Sequence, residues 1–124
     1  MPVIRGATAP VFTLPNATFT GLASPSRGAK ETCVWRTLLH PGTRGDEHSF
    51  DHEEVLVAVS GRAVAVIDGM THEVVPGDAV IVPTHTAFSL ANPYQEPFEA
   101  VVSLPVGAVA HMAGGDTAIP FTAR

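Results

Sequence analysis

An imidazole and a carboxyl six positions apart, His48 and Glu54, are the pair in this chain best suited to do chemistry. Such a pair can pass a proton, or it can supply two ligands to a divalent cation. Phe50 stands between them, and residues two apart on an extended chain point to one side, so His48 and Phe50 would share a face. His52 and Glu54 have the same parity. His52 could therefore turn inward beside them if no bulge intervenes, but the expected reading of Asp51-His52-Glu53 is a solvated turn between two strands. A carboxyl held in apolar surroundings has its pKa raised, which makes it a usable acid or base near neutral pH.

The other reactive side chains read as ordinary. His85 follows Pro83 at a turn, where an exposed imidazole is expected. His40 precedes Pro41 in a loop, His72 falls in a hairpin and His111 in the last stretch. Cys33 is the sole cysteine, so no internal disulfide can form, and it is expected to be buried in a strand. Trp35 is expected to fill core volume, with a ligand platform as the alternative. Arg36 and Arg62, isolated on alternating strands, are expected to be solvated or paired.

Strands must position these groups. Eleven Pro and eleven Gly punctuate short runs rich in Val, Ala, Thr and Phe along the whole chain. TCVWRTLLHPG reads as a strand stopped by Pro41-Gly42, with Trp35, Thr37 and Leu39 on one face. After the polar GTRGDEHSFDH, a strand runs from Glu54 to Val59. RAVAVIDGMTHEVVPGD reads as a hairpin turning at Asp68-Gly69, an Asp-Gly pair being a strong hairpin signal. AVIVP, AFSLANP and FEAVVSLPVG give further strands, and no stretch shows a clean helical period with caps. So many short strands predict an all-β jelly roll or closed barrel, which hides their edges.

The chain has 124 residues, 45% of them hydrophobic and 15% charged, and is expected to form one packed domain. Within it, 1–30 is expected to be a looser N-terminal arm with strands, 31–105 the barrel core and 106–124 an irregular tail. The net charge of −5, with seven scattered Lys and Arg, argues against a nucleic-acid partner. No apolar run approaches a membrane span or the core of a signal peptide, so a cytoplasmic protein without a membrane partner is expected.

Two segments, in this order and spacing, resemble the paired motifs of the cupin superfamily over roughly Thr32 to Leu104. The first is Gly42, five residues, His48, then Glu54 and Gly61; the second is Gly77, five residues, Pro83, then Asn92. About fifteen residues separate the two. The resemblance implies a double-stranded β-helix, or jelly-roll, barrel with a pocket of three His and one Glu for a metal. Of those four ligand positions only His48 and Glu54 match. Phe50 and Phe88 stand where the other two histidines belong, and His85 stands where the family's Pro-x-Gly has its glycine.

Two ligands are too few for a tight, selective divalent site, and a Phe ring excludes water and offers no lone pair. The expected pocket is therefore apolar, lined by His48, Phe50, Glu54, Phe88 and Trp35, with no metal and no cofactor. The favoured function is a binding module for a small molecule. A metal-free isomerase or epimerase using His48 and Glu54 for proton transfer is the alternative, for which sugar-nucleotide isomerases and epimerases among cupins are the precedent. A metal-dependent dioxygenase or isomerase would need His52 or His85 as a substitute ligand, and a purely structural partner protein is the remaining reading. A C₂ homodimer formed through the arm or a sheet face is expected, since cupin-like barrels of this size commonly pair.

Overall fold

The computed structural model describes residues 2–124, in which twelve strands form two antiparallel six-stranded sheets. The first sheet contains β1 (Val11–Thr13), β2 (Ala17–Ala23), β3 (Thr32–Leu39), β10 (Phe98–Pro105), β5 (Glu54–Ser60) and β8 (Ala79–Val82), side by side in that order. The second contains β12 (Thr117–Ala118), β11 (Ala110–Met112), β4 (His48–Phe50), β9 (Phe88–Ala91), β6 (Ala63–Ile67) and β7 (Met70–Val74). The only helical segments among the described residues are three short 3₁₀ turns, and none is long and apolar enough to cross a membrane. This is the all-β jelly roll that the strand pattern predicts.

Alternation builds the core. In β10 every second residue, Phe98, Ala100, Val102 and Leu104, is buried, while the residues between them are half-buried on the outer side. β3 alternates in the same way, with Cys33, Trp35, Thr37 and Leu39 inward. Cross-strand register sets Val102 beside Trp35 on one neighbour and beside Leu56 on the other. These three side chains pack as one patch of the interior, since directly opposed pairs are the closest contacts on a sheet face.

The punctuation falls where backbone geometry demands it. Asp68 and Gly69 both have positive φ, 48° and 78°, as a two-residue hairpin turn of the primed type requires. Gly61, at φ 74°, lies against Pro97, and a Cβ there would run into the Pro97 carbonyl oxygen. Asn92 is fully buried and spends its side chain on the backbone. Its Nδ2 donates to the Leu39 and Glu96 carbonyls (3.2 and 2.7 Å), and its Oδ1 accepts from the Tyr94 N–H (3.1 Å). Two of the motif residues therefore hold loops rather than do chemistry.

Both ends of the chain are tied into the sheets, and the C-terminal stretch is more regular than the expected irregular tail. β2 is a seven-residue strand paired along most of β3, and β1 pairs with β2. At the other end β11 pairs with β4, β12 pairs with β11, and the turn Phe121–Ala123 packs back on β2 and β3. Cys33 is fully buried there, its thiol donating to the Ala123 carbonyl (3.6 Å). An open sheet edge is a row of unpaired backbone donors and acceptors, and these terminal segments cover what the central strands leave exposed.

Gly61→Ala should destabilise the fold by at least about 2 kcal/mol, because it combines a left-handed backbone with a backbone collision. Urea unfolding followed by circular dichroism measures this, and an unchanged midpoint would mean that the loop at Pro97 yields freely.

Candidate functional site

Between the sheets lies a cavity of about 570 Å³, lined by His48, Phe50, Glu54, Phe88 and Trp35 together. Trp35 and Glu54 reach it from the first sheet, and His48, Phe50 and Phe88 from the second. His48 is paired directly with Phe88 in the ladder, and its ring meets Phe50 and Phe88 edge-on at centroid distances of 5.4 and 5.6 Å. Its Nδ1 lies 2.9 Å from the Asp46 carbonyl oxygen. A carbonyl only accepts, so Nδ1 carries the hydrogen and Nε2 keeps the lone pair of the neutral ring.

Glu54 opens β5, opposite Val82, and is 5% exposed. Its Oε1 is sealed from solvent and has no hydrogen-bond partner among the described residues. Loss of hydration disfavours the charged form and pushes the carboxyl pKa up from 4.5 to about 7. Neither a hydrogen bond nor an ion pair joins His48 and Glu54, and burial alone moves the Glu54 pKa.

His52 lies outside the cavity. β4 ends at Phe50, the chain bends through Asp51 and His52, and β5 begins on the other sheet, so parity does not carry across. The His52 ring is exposed and paired with Asp51 (2.8 Å). Asp51 also accepts from the Val109 N–H (2.7 Å), and these bonds hold its pKa below the ordinary carboxylate value. His85 is exposed too, in a smaller surface cleft near His111, with a positive φ of 58° and its N–H donating to the Phe50 carbonyl (2.7 Å). Arg36 pairs with Glu99, and Arg62 stacks on Tyr94 at 4.0 Å from the ring centroid.

Sequence reasoning missed much of the wall. Phe19 from β2 and Phe121 from the C-terminal turn complete the apolar lining together with Leu39, Leu56 and Val102. Exposed residues of the lining, among them Leu14, Arg44, Asp46 and Asp116, mark the mouth. The alternation of β3 already pointed to Thr37 and Leu39, but nothing in the two terminal segments marks them as pocket walls.

These residues do not fit a metal. The described residues contain no group of three or more His, Cys, Asp or Glu side chains placed to hold one, and rings occupy the positions from which further ligands would come.

The fold and the motif spacing converge with comparison to known proteins. The family model described as Cupin domain matches residues 35–104, and the chain belongs to that family. No match was found among curated protein sequences. Among solved structures, the polyketide cyclase RemF from Streptomyces resistomycificus superposes with a TM-score of 0.78 at 17% identity, over 87% of this chain and 81% of that one. An RmlC-like cupin from Shewanella frigidimarina gives 0.72 at 18% identity, over 82% and 86%. Salicylate 1,2-dioxygenase from Pseudoaminobacter salicylatoxidans gives 0.71 at 17% identity, over 85% of this chain but 31% of that larger one. At such identities the likeness concerns the fold.

Two outcomes test this geometry. Because the folded-state pKa of Glu54 is raised, the folded protein holds its proton where the unfolded chain has released it. Stability is therefore greatest below about 4.5 as far as this group is concerned, falls as pH rises toward about 7, and stays lower above it. The total is on the order of 3 kcal/mol. Urea midpoints from about pH 5 to 8 should decline for the wild type and stay level for Glu54→Gln; parallel curves would mean that Glu54 ionises freely.

The double variant Phe50→His, Phe88→His should create divalent-metal binding by adding two imidazoles to His48 and Glu54. Calorimetry with Ni²⁺, Zn²⁺, Fe²⁺ and Mn²⁺ on both proteins reads this out. Tight binding by the wild type, or no gain in the variant, would contradict the proposed geometry.

Proposed function

We propose that this cupin binds a small, mostly apolar molecule in its central cavity, with Glu54 and His48 fixing the polar end. The observation that carries this reading is the buried Glu54 carboxyl, with an oxygen that has no hydrogen-bond partner among the described residues, in the wall of a cavity also lined by Trp35, Phe50, Leu56, Phe88 and Val102. Small-molecule sites have this make-up: mostly apolar walls, a few convergent polar groups, and volumes of roughly 300 to 1,000 Å³. A buried polar group without a partner is unfavourable to keep, and a ligand that supplies the missing hydrogen bond recovers part of that free energy.

A second reading, a metal-free acid–base enzyme on the same two residues, is favoured by the Glu54 pKa of about 7. Near neutral pH such a group both takes and returns a proton. The His48 ring, its Nδ1 committed to the Asp46 carbonyl, offers Nε2 as the second proton carrier. An isomerisation or epimerisation that removes a proton from one carbon and restores it elsewhere would suit that pair. The similar structures do not choose between the readings, since a cyclase and a dioxygenase share the fold, and function resides in the site.

Titration with Nile red, a neutral apolar dye, tests the first reading. Saturable, blue-shifted fluorescence at one dye per chain is expected for the wild type. Thr37→Phe, which adds a ring to the cavity wall, should weaken binding by at least about tenfold, as expected when the added ring occupies the volume the dye needs. No saturable signal, or an unchanged one in Thr37→Phe, would overturn the assignment of the cavity.

A further inference from the structure

We infer that the ligand of this cavity is a hydrophobic amine, its apolar body lying among Trp35, Phe50 and Phe88 and its ammonium group meeting the Glu54 carboxyl. This rests on the reading of the barrel as a small-molecule binding protein and names the chemical class it takes.

The polar groups around the cavity discriminate among ligand charges. Glu54 is the buried ionisable side chain of the lining, and its Oε1 lacks a donor. No Lys lines the cavity and its one Arg, Arg44, is exposed at the mouth, where Asp46 and Asp116 are exposed as well. A carboxylate or phosphate entering would pass two acids and one arginine at the mouth and find no Lys or Arg beside Glu54. Like charges so close in a low-dielectric site are strongly unfavourable.

The lining also holds the Thr37 and Thr122 hydroxyls and the Trp35 N–H, but its two titratable groups inside the mouth, Glu54 and His48, are acceptors. An ionised carboxylate only accepts, and His48, whose Nδ1–H is committed to the Asp46 carbonyl, presents Nε2 as an acceptor in its neutral form. Thr43, also in the lining, donates its hydroxyl to the Asn16 and His40 carbonyls (2.9 and 2.6 Å). An ammonium group is the complement of Glu54 and His48, having donors and no acceptor. The walls favour it further, because the faces of indole and phenyl rings attract cations, most strongly when water is excluded. A neutral ligand could satisfy one hydrogen bond but would leave Glu54 either protonated or charged without compensation. An ammonium offsets the charge itself, and burial then strengthens the pair.

Three ligands with one skeleton separate the possibilities: naphthylmethylamine, naphthylmethanol and naphthoate, titrated calorimetrically into the full chain at about pH 8, where the amine is largely protonated and Glu54 ionised. The amine should bind at least about tenfold tighter than the alcohol, with naphthoate weaker than both, as expected for a charge-assisted bond over a neutral one. In Glu54→Gln the ratio of amine to alcohol affinity should fall to about one, and Nile red titration of the same variant reports whether its cavity remains formed. Equal affinities for amine and alcohol in the wild type, or a preference that survives Glu54→Gln, would overturn the amine assignment while leaving a binding cavity in place. If none of the three binds and Nile red also fails, the binding reading falls with it.

Discussion

The whole arrangement depends on the double pairing of β10. This one strand is hydrogen-bonded to β3 on one side and β5 on the other, and its eight residues alternate strictly between interior and outer face. A slip of one residue would turn Phe98, Ala100, Val102 and Leu104 outward, exposing the side chains that occupy the middle of the core. Such a slip is strongly disfavoured, and everything that lines the cavity from the first sheet inherits its direction from that register. The bulge between Glu99 and Ala100 on the β5 side lets the ladder continue to Ser60 without breaking the inward phase of the rest.

Against that frame the Glu54 carboxyl is an unfavourable choice for stability. Its neighbours on the interior face of β5, Leu56 and Ala58, are apolar and nearly fully buried. A hydrophobic residue of similar size at position 54 would avoid both the desolvation and the unpartnered oxygen. Natural sequences usually break local consistency where function requires it, so a buried acid on an otherwise ordinary strand is informative about purpose. The phenylalanines of the same cavity sharpen the contrast, because Phe50 and Phe88 offer no polar partner where histidines would have done so.

Legibility in the sequence followed the clarity of the alternation. β3, β5 and β10, of seven or eight residues each, show their alternation plainly, and the Asp68-Gly69 turn is marked by composition. The motif offsets located His48, Phe50, Glu54 and Phe88, which the structure brings to one cavity. What was not legible lies at the two ends: β1, β11 and β12, of two or three residues, are too short to display a period, and β2, though seven residues long, buries only Ala17 and Gly21 and so shows no clear alternation. Phe121, in a 3₁₀ turn, has no pattern at all, yet it lines the cavity and packs against Phe12 and Phe19. His52 lies in the solvated turn expected for it, and the rival inward position fails because parity counts side chains within one strand while the chain changes sheet between Phe50 and Glu54.

The backbone at His85 carries a broader lesson. The residue stands where the family pattern has glycine, and it keeps the left-handed dihedral that glycine adopts readily, with its N–H tied to the Phe50 carbonyl. A histidine tolerates φ 58° at a modest energetic penalty, and the loop between β8 and β9 keeps its course over β4. Part of the motif is thus a record of torsion angles rather than of functional groups. Matching it letter by letter undercounts likeness where an angle is preserved in another residue, and overstates chemistry where a shared letter, such as Gly61 or Asn92, only steers the chain.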